Sequence, residues 1–203
     1  MKSTIGSLLF YIPGVKLPAL VFVLMAATLM SCENSEVERN DVKYYYDLKG
    51  FINNQIIVLN EKKPKVTKDL IIDGHKEVST TNDVDWKKEL ELFIQSDLNK
   101  PSYQQSYTVV RADSLSYEYI LKPGEDLPIR HLDIKLDSAT HQPVAVHALL
   151  KSENKIYTSE KNISLTCTKR ENLLEISSYS VAGYQKLAFM KRKSFNVSAK
   201  IGL

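Results

Sequence analysis

The sequence predicts an α+β domain in which two amino-terminal helices pack on a curved antiparallel β-sheet. Three observations predict it. Apolar residues recur every three or four positions over two early segments, 42–62 and 83–98. From residue 105 onward the period changes to two, the alternation of half-buried strands. Gly and Pro then punctuate the chain at short intervals, as consecutive hairpins require.

In the first segment Tyr45, Leu48, Ile52, Ile56 and Leu59 share one helical face, and Lys62, Lys63 and Pro64 close it. Residues 65–81 read as a hairpin, because Asp73-Gly74 suits a type I′ turn. The second helix, 83–98, carries the stripe Trp86, Leu90, Phe93, Ile94 and Leu98, with Lys87, Lys88, Glu91 and Gln95 facing elsewhere. Asn99 and Pro101 end it. Strands are expected at 105–111, 115–122, 129–137, 143–151, 155–167, 173–181, 184–191 and 194–201, separated among others by Pro123, Gly124, Pro128, Pro143 and Gly183.

One hairpin permits a register. If Ser138–Gln142 is the loop, Ile134 faces Val146, Leu136 faces Val144 and Leu132 faces Ala148, which forms one apolar side. The other side then sets Asp133 opposite His147 and His131 opposite Leu149. Two imidazoles and a carboxylate in one patch are a candidate metal or acid–base site, His131, Asp133 and His147. The same residues on a solvated sheet need be no more than a cross-strand polar pair.

The chain is organised in three parts. Residues 17–30, LPALVFVLMAATLM, form an uncharged apolar run after Lys16. The run is shorter than the roughly 20 residues a membrane-spanning helix needs, and suits the apolar region of a signal peptide. It ends in Leu29-Met30-Ser31-Cys32, which resembles the lipobox of bacterial lipoproteins. That resemblance implies cleavage before Cys32 and attachment of lipid to its sulfur. The expected parts are therefore a lipoprotein signal peptide over 1–31, an acidic flexible tether over 32–41 and a single α+β domain over 42–203. The tether carries Glu33, Glu36, Glu38 and Asp41 against Arg39 alone.

Charge and cysteine content narrow the function classes. The chain has 27 basic and 24 acidic residues. Lys2 and Lys16 fall in the signal, so the remainder is near neutral and exerts no long-range pull on nucleic acid. With Cys32 acylated, Cys167 has no partner, and the core must hold the fold without a disulfide. Cys167 alternates with Ile163 and Leu165, the pattern of a small buried hydrophobe. Lys186, Lys191, Arg192 and Lys193 form a basic patch within reach of phosphate head groups. No HExxH, CxxC, GxSxG or P-loop pattern occurs, and no cofactor is expected.

The stretches YYYDLKGFINNQI (44–56), DWKKELELFIQSDLNKPSY (85–103) and ISSYSVAGYQKLAFMK (176–191) resemble small uncharacterised lipoproteins of Gram-negative bacteria. Such families imply no activity and no site residues. In architecture, PVAVHALLKSENKIYTSEKNISL (143–165) is similar to the strand-turn-strand repeats of outer-membrane lipoprotein carriers. The expected function is a non-enzymatic binding or assembly module, lipid-anchored at the outer membrane on its periplasmic face or at the cell surface, with an envelope protein as partner. A second reading is a carrier or sensor of a hydrophobic ligand, cradled by the sheet and lined by Tyr117, Tyr119, Leu149 and Tyr179. A third is a metal-dependent enzyme built on the His131 patch.

Overall fold

The computed structural model describes residues 43–170 and 173–202. The expected signal peptide, the expected tether and Cys32 lie outside the described residues. Lys43–Leu203 forms one compact unit, and its buried apolar core runs from Tyr45 to Ile201. The core of the described residues lies entirely within this unit.

Helix α1 (Leu48–Lys62) starts later than its apolar periodicity suggests. Upstream of it, side chains take the backbone groups a further turn would have used. The Tyr45 amide donates to Asn99 Oδ1 at 3.0 Å, and Asn99 Nδ2 donates to the carbonyls of Tyr45 and Tyr46. The Tyr46 amide donates to the Tyr119 hydroxyl oxygen at 3.0 Å. Asp47 then caps α1 by accepting from the Gly50 amide. Lys63, with φ 44°, ends it in a left-handed cap.

Strands β1 (Lys65–Ile72) and β2 (His75–Thr81) form the expected hairpin. Asp73 and Gly74 both have positive φ, 47° and 88°, as a type I′ turn demands. The segment expected as one helix over 83–98 is two short ones, α2 (Trp86–Glu89) and α3 (Glu91–Gln95). The break is at Leu90, where φ −98° and ψ 10° leave the helical region. The apolar stripe survives the break, since Trp86, Leu90, Phe93 and Leu98 are all buried.

Seven strands follow: β3 (Tyr107–Ala112), β4 (Ser116–Leu121), β5 (Ile129–Leu136), β6 (Pro143–Glu153), β7 (Tyr157–Arg170), β8 (Leu173–Leu187) and β9 (Lys193–Gly202). They form an antiparallel meander, and β1 joins it beside β9. The sheet order is β2-β1-β9-β8-β7-β6-β5-β4-β3, with β2 and β3 as open edges. The fold is thus α+β, amino-terminal helices followed by an all-antiparallel nine-strand sheet.

Two strand expectations need correction. Residues 173–181 and 184–191 are not two strands divided by Gly183; β8 runs through that glycine. A Cβ at Gly183 would sit 2.1 Å from the Glu160 carbonyl oxygen, so the glycine marks a close approach of β7 and not a turn. The β5–β6 register pairs Ile134 with Val146, Leu132 with Ala148, Asp133 with His147 and His131 with Leu149, as expected. A shift at Lys135/Leu136, however, sets Leu136 opposite Pro143 instead of Val144.

The sheet's two faces differ sharply. Tyr119, Leu132, Ala148 and Ile163 form one cross-strand row of the core face, and Tyr117, Ile134, Val146, Leu165, Tyr179 and Ala199 form the next. Against these rows pack Leu48, Ile52, Ile56 and Leu59 of α1, together with Trp86, Leu90 and Phe93.

Candidate functional site

The face away from the helices carries the chemistry the sequence singles out. Register places Glu118, Asp133, His147, Ser164, Ser180 and Ser198 in one row across β4 to β9. The next row holds Ile120, His131, Leu149, Asn162, Ala182 and Asn196. His131 and His147 lie diagonally, with ring centroids 6.2 Å apart and planes at 59°.

His131 Nε2 lies 3.1 Å from Glu118 Oε1, and both side chains are about 70% covered, at 30% and 28% exposure. Glu118, not Asp133, is the carboxylate that engages this imidazole. Among the described residues no three His, Cys, Asp or Glu side chains are arranged to hold a metal ion. His131, Asp133 and His147 share a face, as the register requires, without forming a ligand set.

Asp133, His147 and Ser164 follow one another across adjacent strands, the residue types of a nucleophilic triad. The surroundings do not complete one. Ser164 Oγ bonds Ser180 Oγ at 2.8 Å. The backbone amides of inner strands are spent on the sheet ladder, leaving none to stabilise an oxyanion. His147 is exposed on an open surface, with no enclosing wall to exclude water.

The four residues expected to line a hydrophobic cradle do not share a cavity. Tyr119 and Tyr179 are core residues, 2% and 3% exposed. Tyr117 is half-buried and stacks on Tyr119 at 6.2 Å. Leu149 lies on the opposite face, between His131 and Asn162. Strand parity decides this: Tyr117 and Tyr119 of β4 and Tyr179 of β8 point to the helices, whereas Leu149 of β6 points away.

The tyrosines complete the core. Tyr45 stands edge-on to Tyr107 and Tyr119, with centroids 5.9 and 5.3 Å away. Its hydroxyl donates to the carbonyls of Tyr103 and Gln104, and that of Tyr107 donates to Ile129. The Tyr179 hydroxyl donates to Glu89, which also receives Lys68 Nζ at 2.5 Å. This ties α2 to the sheet. Burial pushes the Tyr119 phenol up to about 12. Burial followed by the Glu89 carboxylate raises that of Tyr179. Burial likewise raises the Cys167 thiol to about 12, which keeps it protonated and unreactive at neutral pH.

Sequence reasoning missed two residues that matter here. Glu118 is brought to His131 by the β4–β5 pairing. Gln55, on the buried face of α1, bonds the edge of β8 through both amide atoms. Only a polar residue inside an apolar helical stripe could have flagged it. A cleft of about 380 Å³ lies between the end of α1 and the start of α2, lined by Asn60, Lys63, Asn82, Asp83, Val84 and Trp86. Among the described residues no helix is long and apolar enough to cross a membrane. No protein family, curated protein or solved structure matches the chain.

Proposed function

We propose that this protein is a lipid-anchored lipoprotein of the cell envelope whose folded part is a non-enzymatic binding or assembly module. The anchor reading rests on the apolar run ending in Leu29-Met30-Ser31-Cys32. The observation that carries the module reading is the contrast between the sheet's faces. The apolar face is filled by the chain's own helices, with Tyr119 and Tyr179 packed inside. The other face presents small polar side chains, Ser164, Ser180, Ser198, Asn162 and Asn196, over three neighbouring strands. An open face of this kind does not suit capture of a small molecule, which favours concave pockets, and leaves contact with a larger partner as its use. The same filling argues against a hydrophobic ligand held between helices and sheet.

Two measurements test this. In cells producing the full chain, labelled palmitate should enter the wild type and be absent from Cys32→Ala. Labelling that survives the substitution removes the anchor. A photo-crosslinking residue placed at Ser180 should give one discrete adduct in intact cells, while the same group on the helix side at exposed Asn54 gives none. A blank lane at Ser180 removes the module reading.

A further inference from the structure

We infer that one end of the sheet is a membrane-contacting tip, built to insert apolar side chains into an anionic lipid surface. The inference goes beyond the anchor and does not depend on Cys32.

Two turns meet at this end. The Ala188 amide donates to the Ile156 carbonyl at 2.8 Å, so the turn after β6 lies against the turn after β8. Together they expose an unusual set of side chains. Phe189 is fully exposed at 108%, Ile156 is 67% exposed, and Met190 and Leu187 are about half exposed. Single exposed apolar residues are ordinary, but a cluster of four on adjoining turns is not.

The backbone sharpens the point. The Met190 amide returns to the Leu187 carbonyl, and Phe189 within this turn has φ 66°. Turn chemistry gives such a position to Gly or Asn. Here a bulky aromatic occupies it and points to solvent, so neither local preference nor core packing explains the residue.

Charge selects the occupant. The stretch KLAFMKRK, residues 186–193, has four basic residues and no acidic one, and Lys155 flanks the neighbouring turn. Lys191 and Lys193 border a small cleft of about 160 Å³ whose other walls are Tyr157, Gln185, Leu187 and Met190. The Arg192 guanidinium lies 3.4 Å from the centre of the Tyr184 ring. Apolar side chains ringed by cations match a bilayer interface, where the hydrocarbon edge lies just below anionic head groups. A second copy of the chain would bring the same positive charge against itself. Phosphate alone would leave Phe189 without a role.

The test uses residues 43–203, the compact unit that holds the core of the described residues, without the apolar run. The protein is sedimented with vesicles of phosphatidylcholine containing phosphatidylglycerol, and with phosphatidylcholine alone. Binding should require the anionic lipid and fall with added salt. Phe189→Ser should weaken it about tenfold or more. The pair Lys191→Gln and Lys193→Gln should weaken it about fivefold per cation. Val78→Ser, at an exposed apolar site on the edge strand β2, should leave it unchanged. Thermal melting of each variant should match the wild type. Absence of binding, or binding indifferent to Phe189→Ser, overturns the proposal. So does a concentration-dependent dimer that Phe189→Ser abolishes, because the patch would then be a self-interface.

Discussion

Replacing Gln55 by Met tests how the helices are fastened to the sheet. β8 is longer than its neighbour: its pairing with β9 begins at Ser178, opposite Lys200, so Leu174 and Ile176 lie beyond the ladder on that side. Their outward carbonyl and amide are buried under α1. Gln55 satisfies both, donating from Nε2 to the Leu174 carbonyl at 2.8 Å and accepting at Oε1 from the Ile176 amide at 3.0 Å. One side chain thus does the work of a missing strand. Met keeps the length and helix propensity of Gln but offers neither group. An unsatisfied buried donor or acceptor costs about 1–3 kcal/mol, so the two together cost about 2–6 kcal/mol. In a domain of this size 1 kcal/mol moves Tm by about 2–4 °C, which predicts a drop of roughly 4–24 °C. Urea unfolding followed by fluorescence reads this directly, because Trp86 is buried at 2% exposure. Asn54→Met, one residue away on the exposed side of the same helix, is the control and should stay within about 0.5 kcal/mol. A Gln55→Met loss no larger than that of the control would refute the reasoning, since the β8 edge would then be finding partners elsewhere.

Two further perturbations follow from the same packing. The phenols of Tyr46 and Tyr119 are pushed up to about 12, with burial the largest cause for both, and those of Tyr107 and Tyr179 are raised too. A raised folded value means that the unfolded chain ionises first, so stability is intact below about pH 10 and declines between 10 and 12. The urea midpoint should fall from pH 9 to pH 11, and less steeply in Tyr119→Phe. Glu175, its side chain 3% exposed, receives Lys62 Nζ at 2.5 Å while its Oε2 has no partner. Lys62→Met should cost about 1–3 kcal/mol, less than breaking a fully buried pair because Lys62 is 44% exposed. Adding Glu175→Gln should recover most of that loss, and a double variant as unstable as Lys62→Met would count against the pair.

What the sequence makes legible here are features with a local period. The β5–β6 register follows from matching two apolar alternations, and its Asp133–His147 pairing holds because a slip of one residue would expose Leu132 and Ile134. The one error, at Leu136, is a bulge, which alternation alone does not encode. Helix limits fail for a different reason. Nothing near Tyr45 announces that Asn99 will take its backbone groups from 54 positions away. Gly183 misleads because glycine serves both turns and close strand approaches, and only the neighbouring strand tells them apart. The site residues show the same division. His131 and Asp133 are placed on their face by parity, but the partner of His131 is Glu118, on a strand the hairpin argument never reached.

The positions where this chain breaks local rules are also informative. Over β7 to β9 the polar face agrees with its surroundings. Small hydroxyls and amides cover the sheet there, and Ser164 pairs with Ser180 as Thr67 pairs with Thr80. Such agreement is what folding alone demands. The end of the sheet near Ile156 and Phe189 differs. It sets an aromatic side chain at positive φ, leaves it in water and surrounds it with like charges, each of which lowers the stability or solubility of an isolated domain. Exchanging Phe189 for Asn should therefore stabilise the domain in solution, and Tm should stay level or rise by a few degrees. If the same change removes vesicle binding, the cost of that turn and its use are measured on one residue. If Tm falls instead, Phe189 is held by packing, and its exposure and backbone conformation are no cost to the fold.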